Sequence, residues 1–173
     1  MITLNTLKTV FGFIASLFKR YMPFRSQSDS VDAVYNYLLI NENLATSGQP
    51  TEEQFHLIQQ AGYKHVINLA PNGFLENSLN NEASLVNALG MEYLHIPVDF
   101  KGPKDSDFNR FVTGMQGASN DKVWVHCAAN MRVSAFIYKY RCQVLNEDRQ
   151  HAEKDLHRIW EPYGVWENFI EKG

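Results

Sequence analysis

The chain has 173 residues, of which 45% are hydrophobic and 20% charged, and its formal net charge is −3. This length and composition predict one globular domain with a sizeable core and exclude a disordered chain. The small negative charge gives no general attraction to nucleic acid, so we expect no nucleic-acid partner, and any affinity for phosphate must come from a local site.

The first 28 residues differ from the rest of the chain. Their apolar residues recur at helical spacing, and the longest uncharged run, residues 9–18, is too short to span a bilayer. We therefore divide the chain into an amino-terminal helix, residues 1–28, and a domain of residues 29–173. The helix has three interpretations: peripheral contact with a membrane surface through residues 1–25, packing on its own domain, or a targeting segment. The first two fit a cytoplasmic protein, and the third fits an exported, periplasmic one.

From residue 43 onward, apolar runs alternate with amphipathic stretches. Thr51 and Gln54 predict a capping box at the start of a helix that Gly62 ends. The apolar runs predict buried strands over residues 64–70, 91–98 and 122–126. The amphipathic stretches predict helices between these strands and after the last one, where the first helix covers residues 131–145 and one or two more lie around Pro162.

This alternation predicts a three-layer α/β/α fold with a mostly parallel central sheet. The run KVWVH, residues 122–126, is the most apolar strand, so we expect it at the centre of the sheet. Cys127 follows it directly, at the sheet edge where open α/β folds bind their ligands.

The loop after this strand has the composition of a nucleophile site. A cysteine between a strand and a helix lies where amide groups and the helix dipole lower the pKa of a thiol and bind an oxyanion. Arg132, near the start of the helix, adds a bidentate donor for phosphate. Cys127 and Cys142 are fifteen residues apart on different predicted turns, so we expect no disulfide. The histidines show no ligand spacing, and we expect no metal and no organic cofactor.

Three segments of the chain resemble a known family. They are ATSGQPTEEQFHLIQQAGYKHVINL (residues 45–69), YLHIPVDF (93–100) and HCAANMRVSAF (126–136). Together they resemble the bacterial dual-specificity and protein-tyrosine-phosphatase-like domains, a branch that is also found fused to beta-lactamase-like hydrolases. The resemblance covers about residues 31–166 and implies a phosphatase of phosphate monoesters that forms a phosphocysteine intermediate on a phosphorylated protein or small molecule.

The resemblance also implies roles for individual residues. Cys127 matches the nucleophile, Arg132 the phosphate clamp, and His126 the residue that orients the loop. Asp99 is the best match for the general acid, with Asp105 and Asp107 as alternatives on the same segment. The remaining substrate-binding positions are Ala128, Ala129, Asn130, Met131 and Ser134, and Ser134 matches the hydroxyl that assists the thiolate.

The loop departs from the phosphatase pattern H-C-x5-R-S/T by one residue. Only four residues separate Cys127 from Arg132, so an ungapped match places Asn130 on the usual glycine and Val133 on the arginine. Asn tolerates a left-handed backbone, but a shift of one residue turns a helical side chain by about 100°.

Because of this spacing, two further functions stay open. The first is a catalytically weak or inactive phosphate-binding module. The second is a rhodanese-like sulfurtransferase, since many rhodaneses have the spacing C-x4-R. The segments D-x-R and G-H-I-x-G-A that rhodaneses carry upstream are absent from this sequence.

Overall fold

The structure is a computed structural model that describes residues 3–21, 30–71, 79 and 81–171, without the side chains of residues 16–21. The predicted domain boundary at residues 28/29 and most of the predicted Asn- and Gly-rich loop over 71–81 lie outside the described residues. The strands are β1 (Leu38–Asn41), β2 (Leu44–Ser47), β3 (Tyr63–Asn68), β4 (Glu92–His95) and β5 (Lys122–His126). The helices are α1 (Leu4–Tyr21), α2 (Glu52–Gln60), α3 (Glu82–Ala88), α4 (Asp105–Gly117), α5 (Met131–Gln143), α6 (Arg149–Ile159) and α7 (Val165–Glu171), with a short 3-10 turn at Val31–Ala33.

The five strands form one sheet in the order β1-β2-β5-β3-β4. Strands β2, β5, β3 and β4 are parallel, and β1 pairs with β2 in the antiparallel sense. The most apolar run of the sequence is therefore the middle strand, as predicted. The antiparallel β1–β2 pair was not predicted, because β1 is four residues long and largely exposed.

Helices cover both faces of the sheet and give it the predicted three layers. On one face, α2 and α3 enclose a core around Trp124, whose ring contacts Tyr37 and Tyr63. On the other face, α4, α5, α6 and α7 enclose a larger core with several stacked aromatic rings. The mixed α/β architecture is thus confirmed.

Local sequence signals set several of the element ends. The predicted capping box is present, since Thr51 Oγ1 accepts from Gln54 N and the Gln54 side chain accepts from Thr51 N. Gly90 ends the α3 segment with a φ of +76°, a left-handed conformation that glycine adopts readily. Strand β4 ends before Ile96, earlier than the predicted residue 98, although Ile96 N and Val98 N still donate to Asn68 O and Leu69 O.

Candidate active site

The predicted cysteine loop, residues 127–130, lies at the carboxyl end of β5 between β2 and β3. Its first residue is still tied to the sheet, because Cys127 N donates to Ser47 O at 3.3 Å. Ala129 forms an isolated bridge with Gly48, and Ala128 O accepts from Gln49 N at 3.2 Å. The Cys127 side chain is 1% exposed. The end of β2 and the two residues after it therefore hold the backbone of the loop.

Asn130 closes the loop and begins the helix. It is the residue before α5 and has a φ of 65°, the left-handed conformation expected for it. Its side-chain Nδ2 donates to Asn36 O at 2.7 Å and contacts Thr46 Oγ1 at 3.0 Å. In return, Asn36 Nδ2 donates to Ala129 O at 3.0 Å. This reciprocal pair of asparagines holds the turn between the strand and the helix.

The start of α5 decides the position of the arginine. Val133, which an ungapped match places in the clamp position, is fully buried in the core. Arg132 is instead the side chain that turns toward the segment after β4, where its guanidinium Cζ lies 5.2 Å from the centroid of the Phe100 ring. The first N–H groups of a helix have no intrahelical acceptor, so the 13-residue helix α5 presents donors and the positive end of its dipole at this point.

A buried acidic residue, Glu82, lies behind the loop at the start of α3. Its Oε1 is 3.0 Å from His126 Nε2, 2.9 Å from Asn68 Nδ2 and 2.8 Å from Tyr93 Oη, and Gln49 Nε2 donates to its Oε2. The His126 contact is close without being aligned as a linear hydrogen bond, so its effect is mainly electrostatic. Glu82 thereby contacts the residue that directly precedes Cys127.

This network changes the ionisation of its members. Burial by itself raises the pKa of Glu82, but the electrostatic interaction with His126 and the hydrogen bonds from Gln49 and Tyr93 outweigh burial, and the pKa ends below its ordinary value. Burial and the neighbouring carboxylate raise the pKa of Tyr93, which therefore remains a neutral donor. An ionised carboxylate is thus stabilised beneath the loop.

The three acidic candidates occupy different surroundings. Asp99 is exposed and accepts a hydrogen bond from Lys101 N at 2.9 Å. It directly precedes Phe100, whose ring contacts Arg132 and whose carbonyl accepts from Trp166 Nε1 at 2.8 Å. Asp105, at the start of α4, lies 3.7 Å from Lys139 Nζ, and Asp107 belongs to the same first turn. Of the three, Asp99 is next to the residue that meets the arginine.

The Ser134 hydroxyl has one partner in the first turn of α5 and one in the carboxyl-terminal segment. It donates to Met131 O at 3.0 Å and accepts from Trp160 Nε1 at 3.1 Å. Neither bond involves Cys127, so in this arrangement Ser134 joins the helix to the carboxyl-terminal aromatic cluster. Among the residues described, no three or more His, Cys, Asp or Glu side chains are grouped so as to hold a metal ion.

Sequence reasoning missed three residues of this site, Glu82, Phe100 and Asn36. Glu82 resembles any acidic residue in the first turn of a helix, where such residues are common. Phe100 contacts Arg132 and Asn36 contacts Asn130, and in both pairs the partners are far apart in the sequence. The segments quoted for the family resemblance include Phe100, which was the only available signal.

A mostly parallel five-stranded sheet between helices, with a cysteine loop at the end of its central strand and an arginine in the following helix, is the fold of the cysteine-dependent phosphatases. The family model described as DSP-PTPase phosphatase fused to NAD+ kinase matches residues 20–162. The chain belongs to this family.

Similar proteins match different lengths of this chain. Beta-lactamase hydrolase-like proteins of Xylella fastidiosa and Agrobacterium fabrum are each 34% identical to it over 95 residues. That match spans 54% of this chain but 22% of those longer proteins. A solved DUF442 protein from Shewanella putrefaciens CN-32 is 33% identical, covers 81% of this chain and 91% of its own, and has a TM-score of 0.68.

More distant solved structures share the fold. Pseudomonas aeruginosa TpbA in complex with pTyr is 18% identical, with a TM-score of 0.58 over 77% of this chain and 76% of that one. The core catalytic domain of the Saccharomyces cerevisiae PP-IP phosphatase SIW14 is 15% identical, with a TM-score of 0.66 over 80% of this chain and 85% of that one.

Proposed function

We propose that this protein hydrolyses phosphate monoesters with Cys127 as the nucleophile. The observation that supports this most strongly is the position of the thiol, at the end of the central strand and before the amino terminus of α5. Amide groups and the helix dipole at such a position stabilise a thiolate and also the oxygens of a phosphate. Membership of a phosphatase family supports the same conclusion.

The first step forms a phosphocysteine. The Cys127 thiolate bonds to phosphorus while the bond from phosphorus to the leaving oxygen breaks, and Asp99 donates its proton to that oxygen. In the second step, ionised Asp99 takes a proton from a water molecule whose oxygen attacks phosphorus. The phosphorus–sulfur bond breaks, and inorganic phosphate and the thiolate are released.

Arg132 and the loop stabilise the charge that moves in both steps. A guanidinium donates two parallel hydrogen bonds to the equatorial oxygens of phosphate, and helix amides add further donors. The contact between Arg132 and the Phe100 ring supports a role for Asp99, the residue before Phe100. One short segment then positions both the arginine that binds phosphate and the general acid. His126 and residues 128–131 complete the proposed phosphate site, and Ser134 supports this site indirectly through its hydrogen bond to Met131 O at the start of α5.

The relatives of known structure bear on the class of substrate. Among proteins of this fold, TpbA has been solved in complex with pTyr and SIW14 is a PP-IP phosphatase. For this chain we propose a phosphomonoester of the protein-tyrosine or dual-specificity type. A phosphorylated small molecule remains within the same chemistry.

The spacing C-x4-R favours a second candidate, transfer of sulfur through a persulfide on Cys127. A third is a module that binds phosphate on the same amides and Arg132 without turnover. Both alternative functions use the same residues as the phosphatase but differ from it in the reaction, so one series of assays distinguishes the three.

The test is hydrolysis of para-nitrophenyl phosphate by the reduced protein in the presence of a chelator. We expect turnover that persists with the chelator, is lost in Cys127→Ser and is retained in Cys142→Ser, a matched change at the other free cysteine. If Cys127→Ser retains the activity, the proposed nucleophile is wrong. Phosphate binding without turnover would support the binding module, and transfer from thiosulfate to cyanide would support the sulfurtransferase.

A further inference from the structure

Helix α1 packs on the domain through its polar side. Asn5 Nδ2 donates to His157 O and Thr9 Oγ1 donates to Ile159 O, while Thr6 Oγ1 accepts from Glu161 N at 3.0 Å. These partners lie at the end of α6, where the last carbonyl groups of a helix lack intrahelical donors. The polar side chains of α1 therefore form hydrogen bonds with backbone groups at the end of α6 instead of facing water.

The opposite side of α1 is apolar and exposed. Of the nine exposed large apolar side chains among the described residues, five lie on α1 within residues 4–14. Their exposed fractions run from 40% to 69%. They are Leu4, Leu7, Val10, Phe11 and Ile14, which we call the α1 stripe. Their spacing places them on one face of the helix, and an apolar face of this kind outside a core marks an interaction surface.

Positive charge accompanies the stripe. Lys8 is exposed and lies four residues after Leu4 and three before Phe11, so it borders the stripe. Four of the 16 basic residues of the chain, and none of its 19 acidic residues, fall in the first 28 positions. The remaining positions, with 12 basic and 19 acidic residues, have a formal charge of −7. The charge of the chain is thus divided between a basic helix and an acidic domain.

We propose that α1 docks on an anionic lipid surface through the α1 stripe while it remains packed on the domain. Apolar residues bordered by lysine are the features of an interfacial helix, which buries its apolar face at the level of the lipid head groups. Anionic lipid attracts the basic helix and repels the acidic domain, so the charge division also selects which side faces the membrane. No helix among the described residues is long and apolar enough to cross a membrane.

The packing of α1 supports docking without detachment. Tyr35 Oη donates to Thr9 O at 2.5 Å. The backbone carbonyl of Tyr35 accepts from Gly48 N at 2.7 Å, next to the cysteine loop. Tyr35 therefore joins α1 to the sheet. The stripe already faces outward, so lipid binding requires no rearrangement of the domain.

The test uses the full chain in flotation with vesicles of phosphatidylcholine alone or mixed in equal proportion with phosphatidylglycerol. We expect binding to the mixed vesicles, weakened by salt, and little binding to phosphatidylcholine alone. Phe11→Glu should weaken binding by about 10-fold or more, because it places a charge in the apolar face. Leu145→Glu is the matched control, since Leu145 is a similarly exposed apolar residue away from α1, and it should bind as the unchanged protein does.

Several results would overturn the proposal. Equal binding of the Phe11→Glu variant and the unchanged protein would show that the stripe is not the docking surface, and equal binding to both vesicle types would exclude the role of charge. If neither protein binds and light scattering finds a dimer that Phe11→Glu dissociates, the stripe contacts a second copy of the chain instead. Hydrolysis of para-nitrophenyl phosphate by Phe11→Glu should remain unchanged, which separates this test from that of the phosphatase proposal.

Discussion

The carboxylate of Glu82 lies 3.0 Å from the imidazole Nε2 of His126, and both side chains are almost completely buried. Three further donors, from Gln49, Asn68 and Tyr93, contact the same carboxylate. His126 directly precedes Cys127, so a group that holds its ring also holds the first residue of the cysteine loop. We therefore interpret Glu82 as a positioning residue for the loop.

This relationship predicts a pH-dependent loss of stability in Glu82→Gln. The folded pKa of Glu82 is lower than its ordinary value of 4.5, so the unfolded chain binds the proton more tightly. The stabilisation is complete above about pH 4.5 and is lost as the pH falls through the lower folded pKa. We expect Glu82→Gln to lower the free energy of unfolding at neutral pH by about 1–3 kcal/mol and to remove this acid dependence.

Denaturant titrations over a pH series measure this effect. Glu52→Gln is the matched control, because Glu52 is also the first residue of a helix but is exposed. Parallel pH profiles for Glu82→Gln and the unchanged protein would contradict the role given to Glu82.

Asn130 permits a separation of backbone strain from side-chain bonding. At a φ of 65°, alanine is strained by about 1–2 kcal/mol and glycine is not. Both Asn130→Gly and Asn130→Ala lose the contacts with Asn36 and Thr46, worth about 1 kcal/mol each. We expect both variants to be destabilised, and Asn130→Ala more so by about 1–2 kcal/mol.

The matched control is Asn146, which is exposed and has a φ of 55°. Its Gly and Ala variants should differ by a similar amount, while Asn146→Gly should cost much less than Asn130→Gly. If Asn130→Gly is as stable as the unchanged protein, the reciprocal asparagine contacts do not hold the loop.

Arg132 and Phe100 should affect turnover to different extents. Arg132→Lys loses the two parallel hydrogen bonds to phosphate, and we expect kcat/KM to fall on the order of 100-fold or more. Phe100→Leu keeps an apolar side chain against Trp160 and Trp166 but removes the ring under the guanidinium, so a loss of about 2- to 5-fold is expected. Steady-state kinetics on an aryl phosphate measure both.

Arg110→Lys is the control for the charge-conserving change, because Arg110 is exposed and donates to His95 O. It should leave kcat/KM unchanged. An Arg132→Lys variant with full activity would mean that the short loop directs this arginine away from the phosphate.

Asp99 should account for the basic limb of the kcat profile against pH. The acid must be protonated to donate to the leaving oxygen, so kcat falls as Asp99 loses its proton, and Asp99→Asn should flatten that limb. Asp105→Asn and Asp107→Asn are the matched variants on the same segment and should keep it. A flattened limb in either of those two, with an unchanged profile for Asp99→Asn, would assign the acid elsewhere.

The sequence predicted the features of this fold that depend on local patterns, but it did not predict contacts between distant segments. The apolar run of β5 and the capping box of Thr51 are local patterns, and the structure contains both where the sequence predicted them. Strand β1 is short and mostly exposed, so its pairing with β2 leaves little hydrophobic signal. Arg132 contacts Phe100 from a distant segment, and the four-residue spacing alone does not reveal this contact. Glu82 is buried through four partners from other elements, which a single sequence does not reveal.

The most direct test of the account is to detect the phosphocysteine itself. The protein is mixed with an aryl phosphate, denatured rapidly during turnover and digested with a protease. The mass of the peptide that contains Cys127 is then measured by mass spectrometry. We predict one phosphoryl group on Cys127, with more of it in Asp99→Asn, which lacks the base for the second step, and none in Cys127→Ser. Turnover of substrate without any phosphoryl group on Cys127 would contradict the proposed mechanism.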